Sequence, residues 1–142
     1  MITNGLGLTP LVKITIPGRP RVLKNGKRIF NSRGSKRRKV VLPSSQYAQW
    51  EANAMVACLR LKSGPAIDFP CRVSMKFYFE NRQAEADVSN LIEGPADVLQ
   101  KVRIIDNDRL IMHVEAEKFF GSASPRAEIE IFRYEVPKRA DK

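Results

Sequence analysis

The chain has 142 residues, 43% of them hydrophobic and 28% charged, a length and balance that suit one folded domain and not a disordered chain. No apolar run approaches the roughly 20 residues that span a bilayer, and Met1 to Pro10 lacks the basic stretch and apolar core of a secretory signal. A single histidine, His113, excludes a zinc module, and Cys58 and Cys71, with no Cys or His at ligand spacing, read as buried thiols in a reducing cytosol.

Lys and Arg total 25 against 15 Asp and Glu, for a formal net charge of +10. The excess is concentrated. Residues 1–50 hold 11 basic side chains and no acid, the first carboxylate being Glu51, while the rest of the chain is close to neutral. The block from Arg19 to Lys39 therefore reads as a surface for nucleic-acid phosphates, with an affinity that falls steeply with salt. It lacks the apolar stripe of a membrane-surface helix. A solvated basic segment that only aids solubility is the alternative.

Val12, Ile14 and Ile16 alternate with Lys13 and Thr15 and predict a strand ending at Pro17-Gly18. Arg21 to Lys27 reads as a strand and turn, with Asn25-Gly26 at the hairpin and Ile29 and Phe30 returning from it. Asn31 to Lys39 reads as a mobile loop. Pro43-Ser44-Ser45 opens a helix in which Tyr47, Trp50, Ala54, Ala57 or Cys58, and Leu61 recur at steps of three and four, with a stop at Lys62 to Pro65. From Cys71 the period is two. Cys71, Val73, Met75, Phe77 and Phe79 share one face, and Arg72, Ser74, Lys76, Tyr78 and Glu80 the other. A polar connection, Asn81 to Ala86, leads to a helix from Asp87 to about Val102. Leu110, Met112, Val114 and Ala116 alternate, as do Ala127, Ile129 and Ile131, giving two late strands joined at Gly121 to Pro125. The order implies an α+β domain over residues 1–142: a mixed β-sheet of about four to five strands with two helices packed on it, a basic N-terminal loop at 19–39 and a frayed tail at 137–142.

On a helical wheel Val88, Leu91, Ile92, Val98, Leu99 and Val102 fall in one arc of about 120°, the face that meets the sheet. Asn90, Glu93, Asp97 and Lys101 lie opposite, with Asp87 at the edge of that arc. Glu93 and Asp97 are neighbours at a four-residue step, a mildly unfavourable pairing of like charges. Gly94-Pro95 inside the run is a second irregularity, since proline removes a backbone donor. Asp106-Asn107-Asp108 precedes the strand from Leu110, where carboxylates beside an acidic helix could gather oxygen ligands around Mg²⁺. A solvated helix face and an Asx-type turn are the plainer alternatives. A basic surface together with oxygen ligands for a divalent ion suggests phosphodiester hydrolysis.

The layout resembles the RusA-like family of Holliday-junction resolvases. The stretches that carry the likeness are Ile16-Pro17-Gly18-Arg19-Pro20, the basic loop before Tyr47 and Trp50, and above all Ala86 through Glu93, then Asp97-Val98-Leu99, to Ile104-Ile105-Asp106-Asn107-Asp108. The resemblance spans about residues 12–133. It implies a homodimer in the cytoplasm of a bacterium or encoded by a phage, binding four-way DNA junctions and cutting paired strands with Mg²⁺ (or Mn²⁺). By that resemblance Asp87 falls at the first catalytic aspartate and Asp108 at the last, and Asn90 and Asp97 match acidic-helix positions. Two departures stand out: Ser89 where a second aspartate is expected, and Glu93 where a lysine is expected.

The expectation is that Asp87, Glu93 and Asp108 hold the ion, Glu93 replacing the missing carboxylate, with Asp97 assisting and Asn90 orienting. Arg19, Arg21, Lys24, Lys27, Arg28, Lys36, Arg37, Arg38 and Lys39 are expected to contact DNA phosphates, and Lys101 to stand in for the missing lysine. No small-molecule cofactor or membrane partner is expected. A non-catalytic DNA-binding protein, a nuclease for other branched DNA, and an interaction protein with a basic segment are the competing readings. His113 reads as an ordinary surface or edge residue, and Tyr78 and Phe79 as core before base-stacking platforms.

Overall fold

The computed structural model describes residues 9–22, 28–31, 39–42, 45–82 and 86–137. In chain order the elements are β1 (Val12–Pro17), β2 (Arg28–Asn31), β3 (Lys39–Leu42), α1 (Ser45–Leu61), β4 (Cys71–Tyr78), α2 (Val88–Lys101), a short 3₁₀ helix (Asp108–Leu110), β5 (Ile111–Phe119) and β6 (Arg126–Arg133). Four strands form one mixed sheet in the order β1-β6-β4-β5, and β2 and β3 form a separate two-stranded ladder. The α+β architecture with two helices is as the periodicity predicts.

The sheet is antiparallel except for β4 and β5, which run parallel. Parallel neighbours need a crossover, and α2 supplies it. The chain leaves β4 at one end of the sheet, returns along α2, and enters β5 at the other end. The alternation along β4 buries Cys71, Val73, Met75, Phe77 and, just past the strand, Phe79. Ile14 and Ile16 of β1, Ala127, Ile129 and Ile131 of β6, Leu91, Val98 and Leu99 of α2, and Tyr47, Trp50, Ala54 and Cys58 of α1 belong to the same core, with Ile104 and Ile105 beyond α2. Burying side chains of this size is worth about 1.5–3 kcal/mol each.

Gly94 explains the irregularity inside α2. A Cβ placed there would lie 3.1 Å from the Trp50 ring and 3.3 Å from the Tyr47 hydroxyl, so the missing side chain lets α1 and α2 approach. Pro95 is buried beside it, and the helix runs on to Lys101 through the lost backbone donor.

Several expectations need correction. Ile29 and Phe30 pair forward with Val41 and Val40, so the hairpin joins Arg28–Asn31 to Lys39–Leu42. The short strand β3 was concealed in what reads as the end of a basic loop. The Asn25-Gly26 turn, Lys24, Lys27, Lys36, Arg37, Arg38, the Pro43-Ser44 cap and the tail beyond Pro137 lie outside the described residues. Leu61 is exposed although it continues the apolar period of α1, whose buried face is Tyr47, Trp50, Ala54 and Cys58. Arg72 sits on the presumed open face of β4 yet is buried: its guanidinium lies 4.2 Å from the centre of the Phe132 ring and pairs with Glu115. The alternation in β5 is only partly covered: Leu110 and Ala116 pack against the core, while Met112 and Val114 are exposed on this edge strand.

Candidate functional site

Asp87 occupies the N-cap position of α2, with extended backbone angles, and its carbonyl accepts the first helical bonds from Asn90 and Leu91. An aspartate there ordinarily caps the helix with its side chain. Asp87 does not: it makes no side-chain cap hydrogen bond, and it is exposed. The segment before it is tied to the end of β5, where the Lys118 ammonium donates to the Ala86 carbonyl at 3.0 Å. Asp87 therefore stands at the C-terminal end of the β4–β5 pair, with its carboxylate disengaged.

Asp108 stands at the other end. The chain leaves α2 through Val102 and Arg103, which adopts a left-handed φ of 63°, and Ile105 bridges Ile67 just before β4. Of the acidic trio, Asp106 pairs with Arg103 at 2.6 Å, and Asn107 Oδ1 accepts from the Arg109 amide at 2.8 Å, an Asx turn. Both have local structural work. The Asp108 amide donates to Gln100 Oε1 at 2.7 Å. Its carboxylate has no hydrogen bond or ion pair among the described residues.

Between these ends runs the stripe of α2, with Asn90 and Asp97 half-buried and Glu93 exposed. The stripe is met by a residue of α1 that sequence reasoning passed over, Glu51. Lys101 lies 2.7 Å from Glu51 of α1 and 3.1 Å from Asp97. The hydrogen bond to Glu51 first, then that to Asp97, outweighs some desolvation and pushes the Lys101 pKa up to about 12. Lys101 is thus a clasp between α1 and α2, already neutralised, and a poor candidate for a phosphate contact. Tyr47, under the same stripe, is pushed up to about 12 by burial first and then by Glu51 and Asp97, with a smaller contribution from Glu93. The hint in the sequence was that Glu51 is the first carboxylate of the chain and lies on a helix otherwise free of acids.

The expected convergence of Asp87, Glu93 and Asp108 is not met within one chain. The 14 residues of α2 cover about 21 Å, and the nine of β5 about 27 Å. Ligand oxygens on one Mg²⁺ lie within about 4 Å of each other. Among the described residues no three His, Cys, Asp or Glu side chains come together to hold a metal ion. A lone copy therefore does not fit the ion, and no catalytic step is assigned to it.

On the basic side, Arg19 and Arg21 follow β1 and line a cavity against α1. Arg28 and Lys39 are the first residues of β2 and β3, in register with Leu42 and Asn31 respectively. His113 is exposed, its ring stacked on Tyr134 with centroids 6.3 Å apart. Phe79 is core, and Tyr78 is covered by Phe119 and by the Arg126 guanidinium at 3.9 Å. Burial pushes the Cys58 and Cys71 thiols up to about 11, so they are not nucleophiles.

Arg19 and Arg21 just beyond the edge strand β1, and carboxylates at the two ends of the crossover helix that are disengaged among the described residues, suit a small domain that acts on nucleic-acid phosphodiesters. Comparison with known proteins narrows it. The RusA endodeoxyribonuclease family matches residues 17–132, from the end of β1 into β6, and the chain belongs to that family. It is an endodeoxyribonuclease, a hydrolase acting on DNA. A relative, the crossover junction endodeoxyribonuclease RusA of Aquifex aeolicus (strain VF5), is 28% identical over 97 residues, covering 68% of this chain and 76% of that protein. Among the described residues no helix is long and apolar enough to cross a membrane.

Proposed function

We propose that the protein is a Mg²⁺-dependent endonuclease for four-way DNA junctions, working as a homodimer whose metal sites each draw carboxylates from both copies. The observation that carries this reading is the placement of Asp87 and Asp108, both disengaged, at opposite ends of β5, an edge strand with exposed Met112 and Val114. A long, partly apolar edge is a liability in isolation and a ready interface for a second strand. Let β5 pair antiparallel with the same strand of a second copy, about a two-fold axis near Glu115. The start of each β5 then lies against the end of the other, and Asp108 of one protomer comes beside the partner's Asp87. The separation that forbids a site within one chain creates two sites in the pair.

Glu93 lies on the same stripe as Asp87 and is the third ligand in this reading, with Asn90 between them to orient a carboxylate. Asp97 is held by Lys101 and acts from further off. Asp87 and Glu93 of one copy with the partner's Asp108 would hold Mg²⁺ or Mn²⁺, which would supply an activated water and charge neutralisation at the phosphate. Arg19 and Arg21, with the basic residues that follow them, hold the DNA backbone without reading sequence. The name of the Aquifex relative, a crossover junction enzyme, supports the four-way junction as substrate. The buried thiols suit a reducing compartment, the cytoplasm.

A cut-site map on a synthetic mobile four-way junction tests the reading. Paired symmetric nicks near the crossover are expected with Mg²⁺ and none with EDTA. Tight binding with an uncut junction in Mg²⁺ would leave a DNA-binding protein in its place.

A further inference from the structure

From the cavity beside α1 we infer that Arg19 and Arg21 grip one and the same phosphodiester of the DNA backbone. This rests on the reading of the protein as a DNA-acting enzyme, and it specifies where one strand is held. The cavity holds about 420 Å³ and has Arg19 and Arg21 on one wall and Ser45, Gln46, Gln49 and Asn53 of α1 on the other. Among the described residues no Asp or Glu lines it. The nearest carboxylate in sequence, Glu51, is turned to Lys101.

Three observations point to an anion. The Arg19 Nε is buried and has no hydrogen-bond partner among the described residues, so no protein acceptor already holds this edge of the guanidinium that lines the cavity. Arg21 is held below its ordinary pKa by burial first and by the charge of Arg19 next, so the two guanidiniums are close enough to repel each other. Finally, the facing wall offers a hydroxyl and side-chain amides, which donate to phosphate oxygens and contribute no opposing charge. Two guanidiniums that feel each other across one cavity, with no acid between them, converge on a single anion. The cavity is open enough to admit a phosphate with its flanking sugars, and a backbone phosphodiester is the anion this enzyme meets.

The number of phosphates is measurable. Binding to a labelled four-way junction is followed by fluorescence anisotropy in EDTA at several KCl concentrations, for the intact protein, Arg19→Gln, Arg21→Gln and the double variant. Each phosphate neutralised contributes about 0.9 to the slope of log K against log salt. The expected loss for the double variant is about 0.9 in total, with the single losses not adding. A double loss of about 1.8 would mean two separate contacts, and no loss would mean no contact; either overturns the inference. Gln49→Glu keeps both arginines and places a carboxylate in the cavity, so it should lose the same slope; unchanged binding by this variant also overturns the inference. Replacing chloride by phosphate at equal ionic strength should weaken binding by the intact protein more than binding by Arg19→Gln, because free phosphate competes for the same cavity; equal weakening of both would overturn the inference. Because binding is read without metal, a protein that shows the single-phosphate pattern but never cuts would overturn the nuclease reading alone. One that cuts junctions with unaltered slopes would overturn the shared grip alone.

Discussion

Mixing two inactive variants separates a site within one chain from a site between two. Asp87→Asn and Asp108→Asn each remove a carboxylate that makes no hydrogen bond or ion pair among the described residues, so each should fold with stability changed by no more than about 0.5 kcal/mol. Each alone should be inactive on a junction in Mg²⁺. After co-expression with two different tags, about half of the dimers carry one copy of each variant. In the cross-protomer arrangement such a dimer has one site with both aspartates intact and one with neither, so the mixture recovers about a quarter of the wild-type sites. Purified through both tags, the mixed dimers should have half of theirs. The product should be singly nicked junction, since the second site is dead. With Asp87 and Asp108 about 20 Å apart along α2, a within-chain site predicts no recovery at all. Doubly tagged dimers that bind junctions and fail to nick them would refute the reasoning.

Further outcomes follow from other parts of the structure. Val114→Asp places a charge on the exposed edge of β5 and should give a monomer by analytical ultracentrifugation together with loss of cleavage; a monomer that still cuts would contradict the dimer. Gly94→Ala gains about 1 kcal/mol in helix propensity but forces a Cβ to 3.1 Å from the buried Trp50 ring, where overpacking costs about 1–3 kcal/mol, so chemical denaturation should show a net loss of up to about 2 kcal/mol. Cys58 and Cys71, pushed from 9.0 up to about 11, should resist alkylation at neutral pH in the folded protein. In the unfolded chain those thiols ionise near pH 9, so the unfolded state binds fewer protons there and stability should fall as pH rises from about 9 to 11, being fully present below that window. A flat stability profile across it would show that the thiols are accessible. Lys101→Ala should weaken junction binding very little and reduce stability by no more than about 1 kcal/mol, because the half-exposed ammonium serves Glu51 and Asp97.

The period-two runs at Val12 to Ile16, Cys71 to Phe79 and Ala127 to Ile131 were readable because each buries one face of an interior strand or a covered edge. At β5 the same rule located the strand but not its exposure. Met112 and Val114 alternate as core residues do, but the pattern marks a face that is apolar and says nothing of what covers it. The ladder at Lys39–Leu42 was hidden because its first residue is basic and its apolar remainder is only three residues long. In the candidate site, the acidic residues were visible but their distribution was not. A helix wheel shows angle around the axis, which put Glu93 and Asp97 together correctly, and omits translation along it, which carries Asp87 away from Asp108. Asp106 and Asn107 likewise looked equivalent to Asp108 until their partners, Arg103 and the Arg109 amide, set them apart. The Lys101–Glu51 clasp joins residues 50 apart in sequence and has no local signature.

The length of β5 then becomes a calliper. In the proposed dimer the composite centres would sit at either tip of a nine-residue ladder, about 27 Å from each other. The interval between the two severed bonds would then be dictated by polypeptide rather than by base sequence. An insertion of two residues in that strand would spread the incisions by about 7 Å, close to one nucleotide step along an extended strand.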